Sequence, residues 1–170
     1  MRQLILATLF YYVSAFNAFA SSPVFMSSEW GIAACSAWNE NAVLTDELAG
    51  ETWAGNNGEK DHKILHLYRL DCSETPTVEL RIADQDGKAM CVYGGGVESG
   101  ELVKKHDYIM YSKTSNWARM GSGKDGPMKA MMLGRLKFKG PKWEAMSNMG
   151  PFGAFLLLTG EVESDMENCP

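Results

Sequence analysis

The sequence predicts a mixed domain of helices and antiparallel strands, and three features point to it. Apolar residues recur every three to four positions after Ser28, strand-like runs separated by turn residues follow from Lys63 to Tyr111, and a methionine-rich back half mixes helix and strand signals.

Ser28 to Leu48 reads as one helix, since Trp30, Ala33, Ala34, Ala37 and Trp38 share a face and Ser28 can cap its start. Ala49-Gly50 and the polar run Gly55 to Lys60 then make a surface loop. Lys63 to Leu70 reads as a strand. Thr77 to Ala83 and Ala89 to Tyr93 flank Gln85-Asp86-Gly87-Lys88, and Asp-Gly between such runs favours a type I′ hairpin. Gly94-Gly95-Gly96 ends the hairpin. Tyr108 to Tyr111 extends the meander, and the polar Ser112 to Asn116 follows it.

In the back half, Asp125 or Gly126 can cap a short helix that accepts Pro127 in its first turn and closes at Gly134. Met128, Met131 and Met132 then share a face opposite Lys129. Arg135 to Lys139 alternates charged and apolar residues, as a strand with Leu136 and Phe138 inward would. Gly140-Pro141 opens a further helical segment with Trp143, Met146 and Met149, and Phe152 to Leu158 is almost wholly apolar.

The first twenty residues have a different character. Arg2 precedes an uncharged apolar and aromatic run, Leu4 to Phe16, which ends in Ala18-Phe19-Ala20. The run is too short to span a bilayer as a helix. It has the form of a cleavable export signal, with cleavage expected after Ala20 and the mature chain, 21–170, expected to be a single domain. The expected location is the periplasm or an extracellular space.

The chain carries 16 Lys and Arg against 21 Asp and Glu, without a basic block, which argues against nucleic acid as a partner. In an oxidising compartment the four cysteines, Cys35, Cys72, Cys91 and Cys169, are expected to form disulfides, and three full pairings are open. Cys72 with Cys91 is the expected link, because both lie in the strand meander. Cys35 would then join Cys169.

Several motifs fail on context. Gly121 to Gly126 matches Gly-x-Gly-x-x-Gly, yet no buried strand precedes it, so no nucleotide cofactor is expected. His62 and His66 have zinc-like spacing but fall at a strand without a following Glu, and Asp84-x-Asp86-Gly87 lacks the later ligands of a calcium loop. No Gly-x-Ser-x-Gly occurs, and no motif names a catalytic residue. No cofactor or metal is expected.

The methionines Met120, Met128, Met131, Met132, Met146 and Met149 admit two readings. They can fill an irregular core, or they can form a deformable wall around a flexible apolar ligand.

Trp117, then Gly126-Pro-Met-Lys-Ala-Met-Met-Leu-Gly134, then Arg135-Leu-Lys-Phe-Lys-Gly140 resembles the sterol-binding domain of the sterol carrier protein 2 family, with Lys129-Ala130, Gly134, Leu136 and Gly140 at matching positions. The resemblance implies an α+β fold, in which a five-stranded, mainly antiparallel sheet is covered by helices, with an apolar tunnel between them. It implies a sterol, fatty acyl or phospholipid-like ligand, held without catalysis, and transient contact with membranes or a lipid-exchanging protein. Carried over by position, Met128, Met131 and Met132 would line the tunnel from the short helix. Leu136 and Phe138 would line it from the strand, Trp143 and Met146 from the next helix, and Phe152 and Phe155 near its mouth. Trp117 is grouped with them as a ligand contact. The export signal and the cysteines depart from the family pattern.

The alternative reading is an accessory protein that docks a partner through its apolar C-terminal surface, without a small ligand. An enclosed apolar void of several hundred Å³ would favour the carrier. An exposed apolar patch would favour docking.

Overall fold

A computed structural model describes residues 21–50 and 52–170. The expected leader, 1–20, lies outside the described residues. The elements run α1 (Ser28–Glu40), α2 (Ala42–Glu47), β1 (Lys63–Arg69), β2 (Val78–Gln85), β3 (Lys88–Gly95), β4 (Tyr108–Ser112), α3 (Thr114–Gly121), α4 (Pro127–Met132), β5 (Lys137–Lys139), α5 (Lys142–Ser147) and α6 (Met149–Glu161). The fold is α+β, with one five-stranded sheet in the order β3-β2-β1-β4-β5.

The hairpin β2–β3 turns at Asp86 (φ 52°) and Gly87 (φ 76°), the positive values that a type I′ turn requires. The meander expectation needs one correction. β4 pairs with β1 in parallel, Leu65 opposite Tyr108 and Leu67 opposite Met110, while every other pairing is antiparallel. A crossover, residues 96–107, carries the chain from the β3 edge back to β4. The crossover is fastened to the outer face of the sheet, where the Ser99 backbone N–H and hydroxyl donate to Glu79 Oε2 at 2.8 and 2.6 Å.

Period-two alternation places Leu65, Leu67, Val78, Leu80, Ile82, Tyr108 and Met110 on the inner face, all in the core. The helices cover that face. α1 can lie directly on β3 because glycines meet there: a Cβ on Gly94 would sit 2.2 Å from Gly31 O. α6 is apolar nearly all round, as suits a helix packed among α1 to α5.

The single long helix expected over Ser28 to Leu48 is two. Asn41 adopts an extended conformation (φ −95°, ψ 104°) and its side chain accepts from the backbone N–H groups of Val43 and Leu44, so it starts α2. The cap of α1 is Ser27, whose hydroxyl accepts from Trp30 N, and Ser28 Oγ instead accepts from Gly96 N. The polar stretch after β4, to which the sequence reading assigned no element, is helical. It opens α3, which buries Trp117 and Met120.

The expected cysteine pairing is overturned: the bridges are Cys35–Cys91 and Cys72–Cys169. Cys35 sits on the face of α1 that meets β3, beside the glycine contact, so Cys91 on β3 is its near neighbour. Cys72 lies just past β1, where the tail ends. Arg69 holds that tail, donating to Asn168 O at 2.6 Å and Met166 O at 2.7 Å.

Candidate functional site

Two apolar spaces adjoin between the sheet and the C-terminal helices. The inner one is a cavity of about 40 Å³ lined by Trp38, Leu48, Trp53, Leu65, Tyr108, Met110, Phe138, Ala145, Asn148, Pro151, Phe152 and Phe155. The outer one is an open groove of about 420 Å³ lined by Met128, Met131, Met132, Gly134, Leu136, Lys137, Phe138, Lys142, Ala145 and Met146. Phe138 and Ala145 belong to both, and so form the partition between them.

Local sequence builds each wall. Gly126 and Pro127 start α4, and Gly134 at φ 64° ends it, so the helix spans only six residues and sets Met128, Met131 and Met132 at the groove. Its inward residue is Ala130, fully buried. β5 pairs Phe138 with Met110, which turns the Phe138 ring inward against Tyr108 (5.3 Å) and Phe152 (5.9 Å). α5 is the roof, with Ala145 beneath and Trp143 and Met146 above, the two being one turn apart.

A buried polar network holds α5 down. Glu144 accepts from Lys63 Nζ at 2.7 Å, and also from the Tyr108 hydroxyl and Asn56 Nδ2. Lys63 is fully buried, with its ammonium about 5 Å from the ring centres of Trp53 and Tyr108. Burial lowers the Lys63 pKa, against the opposing pull of Glu144. Burial, with the Glu144 carboxylate beside it, pushes the Tyr108 phenol far above its usual range. A second cluster supports α4: Asp125, 1% exposed, receives Arg119, Lys129 and Arg135 within 2.8 Å. Arg119 and then Lys129 hold its carboxyl well below the ordinary value.

The sequence-selected residues divide by place. Met128, Met131, Met132, Leu136 and Met146 line the groove, Phe152 and Phe155 line the cavity, and Phe138 lines both. Trp143 lies outside both spaces at 80% exposure, and Trp117 is buried against Phe25, apart from either. Sequence reading missed Trp38, Leu48, Trp53, Leu65, Tyr108 and Met110 as cavity residues. Strand alternation could have found Leu65, Tyr108 and Met110, whereas Trp53 sits in a stretch with no periodic signal.

His66 is buried on the outer face of the sheet, its Nε2 3.1 Å from Glu79 Oε2 and 2.9 Å from Ser99 Oγ. Among the described residues no group of three or more His, Cys, Asp or Glu is placed to hold a metal.

Most of the residues that shape both spaces fall within a family match, since the profile of the SCP-2 sterol transfer family covers residues 51–153, with Trp38, Leu48 and Phe155 of the cavity outside it. The chain belongs to that family. The SCP-2 match takes in the whole sheet, α3 to α5 and the start of α6, and leaves out α1 and α2. Among solved structures, sterol carrier protein 2 is similar at 17% identity over 81% of this chain and 98% of that one, with a TM-score of 0.49. A conserved hypothetical protein of Thermus thermophilus is similar at 17% identity over 86% and 94%, with a TM-score of 0.48. Sterol carrier protein 2 from Yarrowia lipolytica is similar at 17% over 75% and 90%, with a TM-score of 0.38. No curated protein matches the chain.

Proposed function

We propose that this protein is an exported, non-catalytic lipid carrier of the SCP-2 family, which takes a sterol, fatty acyl or phospholipid-like molecule between its sheet and its C-terminal helices. The observation that carries the reading is the adjacency of a methionine groove and an aromatic cavity across one thin partition, Phe138 and Ala145. The space of several hundred Å³ is an open groove of about 420 Å³ and not the enclosed void expected of a carrier, but it is of ligand-site size. The inner cavity, about 40 Å³, holds a few waters at most, so a chain entering it displaces the Phe138 ring or lifts α5. Flexible methionine side chains let the groove adapt to ligands of different shape. Met128, Met131, Met132, Leu136, Phe138, Met146, Phe152 and Phe155 are the ligand contacts on this reading.

Export is supported by the leader-like first twenty residues and by the two disulfides. Native mass spectrometry of the exported protein tests both parts at once. The expected result is a polypeptide mass starting at Ser21, with lipid bound. A retained leader refutes processing, and failure to bind any of a broad panel of sterols, fatty acids and phospholipids refutes the carrier.

The exposed apolar side chains Met132, Leu133 and Trp143 favour a second reading, an accessory protein that docks a partner there without a small ligand. Failure of the lipid panel together with a saturable protein complex would select it.

A further inference from the structure

The two most exposed large apolar side chains, Trp143 and Met132, stand beside the groove mouth together with three others. Trp143 is 80% exposed, Met132 79%, Leu133 56%, Met146 51% and Met128 46%. They come from two short helices, α4 and α5, which therefore form one raised apolar rim. A rim of this kind in water is unfavourable unless something covers it.

Charge identifies the cover. The chain as a whole is acidic, at net −5, yet residues 121–150 hold Lys124, Lys129, Arg135, Lys137, Lys139 and Lys142 against only Asp125 and Glu144. Both of those carboxylates are withdrawn from the surface. Asp125 is buried under three cations, and the Glu144 side chain is 10% exposed and bonded to Lys63. The surface of this segment thus presents cations alone, with Lys137 and Lys142 at the groove itself.

A tryptophan and methionines ringed by lysines match the boundary of an anionic bilayer. The indole sits at headgroup depth, the methionines and leucine reach the acyl region, and the lysine stems extend to the phosphates. We infer that the α4–α5 face is a docking surface for an anionic phospholipid membrane, with Trp143 as its anchor and Lys137 and Lys142, at the groove, as its headgroup contacts. It rests on the carrier reading only for its purpose, because the groove opens within the patch and lipid then passes between bilayer and groove without crossing water. The binding itself is independent of any cargo.

The test is flotation of the exported protein with vesicles of phosphatidylcholine alone, or of phosphatidylcholine with about one-third phosphatidylglycerol, at low and high salt. Trp30, Trp38, Trp53 and Trp117 are at most 5% exposed, so a blue shift in tryptophan emission on binding reports Trp143. Binding is expected to anionic vesicles, with a blue shift, and to weaken at least about tenfold in neutral vesicles or high salt. Trp143→Glu and the double variant Lys137→Glu/Lys142→Glu are each expected to lose at least about tenfold. Neither lysine belongs to the Asp125 cluster, so the double variant leaves that carboxylate with all three partners. Circular dichroism and the melting point of Trp143→Glu should match wild type, since the side chain is exposed.

Absence of wild-type binding, equal binding to neutral vesicles, or full binding by the variants overturns the inference. So does a concentration-dependent dimer, abolished by Trp143→Glu, in a protein that ignores vesicles, which would make a second copy the cover. Loading with a fluorescent fatty acid in vesicle-free solution separates the two ideas: the carrier reading requires it in wild type and in Trp143→Glu. Vesicle binding without loading leaves the docking surface standing and removes the carrier.

Discussion

Replacing Phe138 by alanine should make the protein less stable and shift its preference toward longer ligands. The ring is half-buried, touches Tyr108 and Phe152, and is part of the wall between groove and cavity. A fully buried Phe→Ala change costs about 3–5 kcal/mol, and a half-buried ring loses roughly half of that, about 2 kcal/mol. For a domain of this size each kcal/mol lowers the melting point by about 2–4 °C, so the expected fall is about 4–8 °C. Without the ring, the 420 Å³ groove and the 40 Å³ cavity become one space. Each further methylene buried there adds about 0.8 kcal/mol, or about fourfold in affinity. Competition of saturated fatty acids of increasing length against a fluorescent analogue measures this, with Phe138→Leu, which removes less of the partition, expected to fall between wild type and Phe138→Ala. A wild-type chain-length profile in a variant that shows the stability loss would refute the partition as part of the binding path.

Met131→Asp places a carboxylate against the groove wall and should abolish fluorescent-lipid binding in a protein that circular dichroism shows to be folded, whereas Met131→Leu should retain it at under about 1.5 kcal/mol of stability. Burial raises the Glu79 pKa, but hydrogen bonds from Ser99, Arg81 and His66 outweigh it and hold it at about 2, against 4.5 ordinarily. Its stabilising effect is therefore complete above about pH 4.5 and lost as pH falls toward 2, and Glu79→Gln should flatten that part of the urea-midpoint profile. A non-reducing peptide map should return Cys35–Cys91 and Cys72–Cys169, and loss of either bridge should cost about 4 kcal/mol by loop-closure entropy, read from denaturant midpoints; free thiols in the map would refute the pairing.

What the sequence made legible was local. The Asp86-Gly87 turn, the short helix between Gly126 and Gly134, and the inward Phe138 depend on a few neighbouring side chains, and they lie where expected. The bridges, the parallel β1–β4 pairing and the split at Asn41 depend on partners far along the chain or on a capping competition that periodicity does not register. The site divides in the same way. Groove methionines follow from two short helices, whereas Trp53 lies at the cavity between Trp38 of α1 and Tyr108 of β4, partners far along the chain. Trp143 misled for a reason of chemistry: an apolar residue on an amphipathic stretch is normally inward, and here the inward place is taken by Glu144 and Ala145.

The strap at the end of the chain also sets an order in time. Phe25 N donates to Asp165 O, Asp165 N donates to Pro23 O, and Arg69 is satisfied by the carbonyls of Met166 and Asn168. About 140 residues separate Phe25 from Asp165, and ribosomes add about 5–20 residues each second. For about 7–28 s, then, the edge at Phe25 lacks its partner, and for about 5–20 s Arg69 lacks the Met166 and Asn168 carbonyls and Cys72 lacks Cys169. The contact between residues 23–25 and Asp165 thus closes over a sheet and helices that have already been made, so it is a late step of folding and not its nucleus.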